Sequence, residues 1–347
     1  MPRALFDPAL DPQDMRGAIR AFPDHLHEGW QRGADAAFGL DADDLNGVVV
    51  CGMGGSAIGA DLVRALAAPE ARVPVVVNRA YGVPGWVGER SLVIASSYSG
   101  GTEETLSALG AAEEAGARTA AVTCGGPLAE RMGGRPVVTI PGGLQPRAAL
   151  GYSLGVLVRA FRDGGLLALT DDEFLTALGE AIARAEAYDR DDRQNLAREV
   201  SGSLEGRLPV MYTGPGLLEP VGVRWRTQIH ENAKHPAVGN VFPEMDHNEI
   251  MGFEAAPEAV AREMQVVVLS DADDHPQVRR RFEVTRELVA KRVAGWREIE
   301  SEGEGRLGRM LSLVQLGDWA SFWLAMRKGV DPTPVATIQK LKGVLAG

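Results

Sequence analysis

From residue 47 onward the chain alternates short runs of β-branched and small apolar residues with longer stretches in which apolar positions recur every three or four residues. The short runs in the first half are Val48-Val49-Val50-Cys51, Val75-Val76-Val77-Asn78, Leu92-Val93-Ile94-Ala95, Ala120-Ala121-Val122-Thr123 and Val137-Val138-Thr139-Ile140. Such runs, bounded by Gly, Pro and small polar residues, predict strands, and the stretches between most of them predict amphipathic helices. A strand-helix alternation of this kind specifies a mainly parallel sheet flanked by helices, so the fold class expected is α/β.

The same grammar returns in the second half. A helical stretch rich in Leu and Ala leads into the acidic, Arg-containing segment from Tyr188 to Asn195, which has little to bury and is expected to be a connector. Beyond it, strands are predicted at Val210-Met211-Tyr212, Val266-Val267-Val268-Leu269 and Trp296-Arg297-Glu298-Ile299. The expected organisation is an N-terminal helical cap over 1–40, a first α/β domain over 41–188 and a second over 189–347. Two domains of similar grammar suggest an internal duplication, although no repeat is visible at residue level.

Composition fits this picture and narrows the function. A chain of 347 residues can fill two domains of ordinary size. It is 45% hydrophobic and 24% charged, and no run approaches the roughly 20 apolar residues of a membrane span. The start, MPRALFDPALDPQDMRG, has neither the charged beginning nor the apolar core of a secretory signal, so a cytoplasmic protein is expected. The net charge of -11 and the absence of a Lys/Arg cluster argue against nucleic acid as a partner. Cys51 and Cys124, the only cysteines, each end an apolar run and are expected to be reduced, without a disulfide or zinc site.

Any anionic ligand must then be held by local donors, and two loops supply them. The first strand runs into Gly52-Met53-Gly54-Gly55-Ser56 and then into a good helix start, Ala57-Ile58-Gly59-Ala60-Asp61-Leu62-Val63. Glycines let the backbone approach a ligand, and the N–H groups of a helix start point at an anion. The third strand ends in Ser96-Ser97-Tyr98-Ser99-Gly100-Gly101-Thr102-Glu103-Glu104-Thr105, which surrounds two glycines with hydroxyls just before another helix. Hydroxyl donors and a helix start at the carboxyl edge of a parallel sheet suit a phosphate monoester. The bland alternative is that Ser99 or Thr102 simply caps the helix. Neither loop has the lysine of a P-loop, which disfavours nucleoside triphosphate hydrolysis.

These two loops resemble the sugar isomerase (SIS) domain family, in which a serine-rich loop of the form SxSGxT holds the phosphate of a phosphosugar. The resemblance implies Gly55, Ser56, Ser97, Ser99 and Thr102 as phosphate-binding residues, and two SIS-type doubly wound domains as the fold.

Aldose-ketose isomerisation needs a base beside the carbonyl and a means of stabilising an enediolate. Candidates lie in Ile229-His230-Glu231-Asn232-Ala233-Lys234 and in Pro243-Glu244-Met245-Asp246-His247-Asn248-Glu249, both in a region poor in strand signals. His230, His235 and His275 are expected to be structural or solvated. The ENAK and PExxHNE segments are similar to those of the bifunctional phosphoglucose/phosphomannose isomerases. The similarity extends to the glycine loop, the serine loop, Pro146-Arg147-Ala148-Ala149-Leu150, Gly329-Val330-Asp331-Pro332, and Ile338 through Lys342. It implies Glu231 as the base that moves a proton between carbons 1 and 2, and Arg147 as the cation that stabilises the enediolate. It implies His247 as the residue that opens and closes the sugar ring, with Lys342 assisting.

Lys340 and Lys342 cannot share a helix face, so one is expected to turn inward and the other to be solvated. Lys342 is preferred because its spacing from Ile338 and the chain end matches the family. One departure is Val335, where some members carry a Thr near the sugar, which bears on mannose 6-phosphate. The resemblance implies hexose 6-phosphate substrates, reactions of glycolysis and gluconeogenesis, a cis-enediol intermediate, no cofactor, and a homodimer with shared active sites. The scattered histidines lack metal-ligand spacing apart from His230 and His235, so no metal is expected. Two rivals remain at this point. A SIS-domain sugar-phosphate sensor would keep the phosphate loop and dispense with Glu231, His247 and Lys342, and an isomerase of another phosphosugar would differ only in substrate.

Overall fold

The computed structural model describes residues 4–345. The chain forms two compact units. One comprises Arg20–Ala183 with Gly303–Leu311, and the other the N-terminal segment through Ile19, Arg184–Glu302, and the chain from Ser312 onward.

The first unit is built on β1 (Gly47–Cys51), β2 (Val75–Asn78), β3 (Ser91–Ser96), β4 (Arg118–Thr123) and β5 (Val137–Thr139), in the order β2-β1-β3-β4-β5. Every neighbouring pair is parallel. All residues of β1 and β3 are buried, as a sheet covered on both faces requires. Val49, Cys51 and Val93 pack with Ala108 and Ala112 on one side of the core, and Ala95 and Ala121 with Leu109, Leu128 and Met132 in a neighbouring cluster.

The second unit repeats the plan with β6 (Leu208–Thr213), β7 (Val238–Val241), β8 (Met264–Ser270) and β9 (Gly295–Glu300), all parallel in the order β7-β6-β8-β9. The predicted strands are present. The additional strand, β7, has the sequence Val-Gly-Asn-Val and lies at the sheet edge. It carries no apolar alternation because its place is fixed by backbone fit. Gly239 pairs with Met211, and a Cβ there would lie 2.2 Å from the Met211 carbonyl oxygen.

In both sheets the connections diverge to opposite sides of a central pair, β1 and β3 in one, β6 and β8 in the other. The carboxyl edge at such a divergence leaves a crevice, the usual ligand position in doubly wound sheets.

The first forty residues divide between the units. Helix Phe22–Ala34 packs on helix Leu150–Asp163 in the first. Their backbones meet because glycines face each other. A Cβ on Gly29 would fall 2.3 Å from the Tyr152 carbonyl oxygen, and one on Gly155 would fall 2.3 Å from that of Leu26. Ahead of that helix, Asp191 accepts hydrogen bonds from the backbone N–H groups of Leu5 and Phe6, and Arg16 donates to Asp189. The acidic connector is thus an anchoring segment. Its Asn195 is buried, donates to the carbonyls of Tyr188 and Arg190, and caps helix Leu196–Leu204.

Cys51 is buried and Cys124 half-buried, and both are free thiols. Among the described residues no helix is long and apolar enough to cross a membrane.

Candidate active site

The serine loop follows β3 directly and is bound to the neighbouring turn after β4. Gly100 adopts φ +70°, and a Cβ on it would lie 1.8 Å from the Gly125 carbonyl oxygen, so no other residue fits. The Gly100 carbonyl accepts from Leu128 N–H, and the Tyr98 carbonyl from Cys124 N–H. This fixes the loop from below and leaves its hydroxyls to choose partners.

Those partners are informative. Thr102 is the N-cap of helix Glu103–Glu114, yet its side chain makes no capping hydrogen bond. Its Oγ1 lies 2.8 Å from the Ser97 Oγ instead. One hydroxyl donates to the other, and the second donor of the pair is left over. Ser56 Oγ accepts from Tyr98 N–H at 3.2 Å, which likewise leaves its O–H to donate. Ser99 is exposed at the loop tip and accepts weakly from Gly101 N–H. The simple-cap alternative therefore does not describe this loop.

Ser56 lies in the first turn of helix Gly54–Ala67, which starts straight after β1. Two helix starts, after β1 and after β3, thus open at the divergence of the sheet. The first turn after the serine loop carries Glu103 and Glu104, so an anion there is held by directed O–H and N–H donors rather than by net positive charge.

Arg147 joins this set. A Cβ on Gly55 would meet the Pro146 carbonyl oxygen at 2.8 Å and the Arg147 nitrogen at 3.2 Å, so the glycine loop and the Arg147 backbone touch. The Tyr98 hydroxyl accepts from Leu144 N–H at 3.0 Å and ties the same segment to the serine loop. The Arg147 residue is 3% exposed. The first unit therefore brings together Gly55, Ser56, Ser97, Ser99, Thr102 and Arg147. Tyr98 is a connecting residue that sequence reasoning missed, although it stands inside the motif.

The second unit holds the other candidates. Glu231, half-buried, sits in the last turn of helix Glu219–Ala233. That helix is clamped by buried polar contacts to helix Gly305–Lys328. Arg224 and Gln228 both donate to Asp318, Asn232 donates to Ser321, and the Trp225 indole to the Leu313 carbonyl. Burial pushes the Asp318 carboxyl up from its ordinary range against the opposing pull of Arg224. A lone Asp inside the apolar run Leu313–Trp323 was the available sign of this anchor.

The helix ends because Lys234 takes the left-handed conformation at φ +48° and Pro236 follows. The Lys234 ammonium donates to the carbonyls of Glu231 and Pro332, at 2.7 and 2.8 Å. That bond draws the chain beyond Pro332 to the Glu231 helix end. A cavity of about 340 Å³ results, lined by His230, Glu231, Lys234 and the segment from Pro334 to Ile338. Val335 is in its wall.

His247 is exposed on the short turn Glu244–His247. Lys342 lies on helix Ala336–Leu345, where it and Lys340 are both exposed, so the unit's own geometry does not separate them.

Comparison with known proteins decides the family. The chain is 42% identical over 333 residues to the bifunctional phosphoglucose/phosphomannose isomerase of Caldicellulosiruptor bescii, covering 95% of this chain and 98% of that one. The chain belongs to the bifunctional phosphoglucose/phosphomannose isomerase family. The member from Aquifex aeolicus is 34% identical, over 87% of this chain and 91% of its own. The family model for the bacterial phospho-glucose isomerase C-terminal SIS domain matches residues 193–345. Among solved structures, the C-terminal domain of glucosamine-fructose-6-phosphate aminotransferase from Francisella tularensis superposes with a TM-score of 0.70 over 92% of this chain and 97% of that one. At 14% identity it shows the shared SIS fold. The two parallel sheets are thus SIS sheets, and the protein is an isomerase of this family.

Proposed function

We propose that the protein interconverts glucose 6-phosphate and mannose 6-phosphate with fructose 6-phosphate through a cis-enediol intermediate. The observation that carries this best is the Ser97–Thr102 hydroxyl pair, set at a helix start yet unused as a cap, with the Ser56 hydroxyl and Arg147 beside it. Ser56, Ser97, Ser99, Thr102 and the Gly55 backbone hold the phosphate, which fixes one end of the sugar. Domains over 41–188 and 189–347, behind the N-terminal helices, divide this labour.

His247, assisted by Lys342, opens the ring by moving a proton from the anomeric hydroxyl to the ring oxygen. Glu231 then takes the proton from carbon 2 of the aldose and returns it to carbon 1, the hydroxyl proton of oxygen 2 passes to oxygen 1, and Arg147 stabilises the negative oxygen of the intermediate. Glucose and mannose 6-phosphate differ only in the configuration at carbon 2. A single base serves both when rotation about the bond between carbons 2 and 3 presents either proton. A cytoplasmic homodimer with shared active sites, acting in glycolysis and gluconeogenesis, completes the proposal.

The test is a coupled assay for fructose 6-phosphate formed from each aldose, with wild type and Glu231→Gln. Wild type is expected to turn over both, and Glu231→Gln to lose turnover while still binding phosphosugar. Absence of wild-type turnover would overturn the reaction, and an active Glu231→Gln enzyme would overturn the base assignment.

A further inference from the structure

His247 is exposed on a short turn whose Met245 is buried in the core, so little packs directly against its imidazole. The carboxylates on either side of it are both tied down. Asp246 accepts from Arg281 at 2.9 Å and from Thr285 at 3.1 Å. Glu249 accepts from the Tyr212 hydroxyl at 2.6 Å on one oxygen and from the Asn240 side-chain amide at 2.7 Å on the other.

The second arrangement is unusual in its geometry. Tyr212 on β6 and Asn240 on β7 are direct partners in the strand register, so the two donors form a fork built into the sheet. Tyr212 is fully buried, packed edge-on against Phe242 in the core below the turn. Asn240 is itself held, because its Oδ1 accepts from Val241 N–H. Both oxygens of Glu249 are thus engaged by neutral donors on rigid elements, two residues from His247. Burial and the neighbouring carboxylate together raise the Tyr212 hydroxyl far above its ordinary range, so it stays a donor at any working pH.

We propose that Tyr212, Asn240 and Glu249 are positioning residues for ring opening, holding the His247 turn to the sheet. None of them touches the substrate in this account; they act through His247. The inference rests on the role of His247 proposed above, and goes beyond it by naming what sets the imidazole in place. Without the fork, the turn that carries His247 keeps its Met245 and Asp246 anchors but loses its hold on the carboxyl side of His247, where it moves relative to the sheet. A shift of this kind is felt by proton transfer, whose rate falls steeply with misplacement of about 1 Å.

The test separates ring opening from proton transfer at carbon 2. Glucose 6-phosphate requires both steps. A 4,5-dideoxy hexose 6-phosphate has the same reach but no oxygen placed to close a five- or six-membered ring, so it needs only the second. Turnover of the first and solvent-deuterium exchange at carbon 2 of the second, followed by NMR, are measured for wild type, Tyr212→Phe, Glu249→Gln, the double variant and His247→Ala.

Tyr212→Phe and Glu249→Gln are expected to lower kcat on glucose 6-phosphate about tenfold or more with KM within about twofold, and to leave exchange on the acyclic substrate within about twofold. The double variant is expected to be no worse than the poorer single one, because the residues act as one unit. Equal losses on both substrates would mean a general structural role and overturn the proposal, as would full kcat in Tyr212→Phe. Tyr212→Phe keeps the core volume, so it remains decisive even where Glu249→Gln folds poorly. If His247→Ala retains full turnover of glucose 6-phosphate, it is the underlying role of His247 that fails, which is a result distinct from failure of the fork.

Discussion

Gly55→Ala adds one methyl group at the join between the glycine loop after β1 and the Arg147 segment. The new carbon would lie 2.8 Å from the Pro146 carbonyl oxygen, 2.9 Å from its carbon and 3.2 Å from the Arg147 nitrogen. Ordinary contact begins at 3.4 Å, so about 0.6 Å must open between 3.4 and 2.8 Å. The obstructing atoms are all backbone, so no side chain can swing aside. Either the helix start or the Arg147 segment has to move. The stability cost of such overpacking is about 1–3 kcal/mol. The catalytic cost is larger in proportion, because a misplacement near 1 Å can cost about 100-fold and roughly half that displacement about tenfold.

Gly54 provides the comparison. It has φ +51° and nothing within 4 Å of its would-be Cβ, so Gly54→Ala costs only backbone strain of about 1 kcal/mol. The two variants are compared by thermal unfolding and by kcat for fructose 6-phosphate conversion. Similar loss of stability is expected in both, with kcat about tenfold lower in Gly55→Ala than in Gly54→Ala. A folded Gly55→Ala enzyme with wild-type kcat would refute the idea that the contact sets Arg147.

Three further outcomes follow from other parts of the molecule. Asp274 is half-buried beside Asp271 just after β8, and desolvation raises its carboxyl to about 6 from 3.8. The folded state therefore holds this proton more tightly than the unfolded one, and stability present at low pH is lost as pH rises through about 6. The full shift corresponds to about 3 kcal/mol, reduced to about 1–2 kcal/mol by partial solvent exposure. Asp274→Asn should raise unfolding stability by that amount at pH 7.5 and scarcely at pH 4; an equal effect at both would refute the assignment. Arg224→Met leaves Asp318 buried without its cation and should cost about 3–5 kcal/mol in urea unfolding, with much of it recovered in Arg224→Met/Asp318→Leu. Burial pushes the Cys51 thiol up to about 11, so a thiol reagent at pH 8 should label Cys124 well before Cys51 by peptide mass analysis.

The elements were legible in the sequence wherever burial wrote a pattern. β1, β3 and β8 are buried along almost their whole length and read as continuous apolar runs. The serine loop was legible too, because glycine at φ +70° and hydroxyls beside a helix start are demands that only a few residue types meet. β7 was not legible, since an edge strand that fits by backbone contact at Gly239 needs no apolar alternation. Nor was the anchoring part played by the acidic connector, whose Asp191 and Asn195 find partners distant in sequence.

Sequence by itself thus determined the α/β class, the parallel sheets and the two glycine- and serine-rich loops at the carboxyl edge of the first sheet. These depend on local periodicity and local backbone conformation. Tertiary structure alone decided how those residues are committed. It showed Thr102 spending its hydroxyl on Ser97 rather than on its helix, Tyr98 tying the serine loop to the Arg147 segment, and Glu249 locked by a fork from two strands. Hydrogen-bond choice among several nearby partners depends on distances that only the folded chain sets, and no pattern in the sequence encodes it.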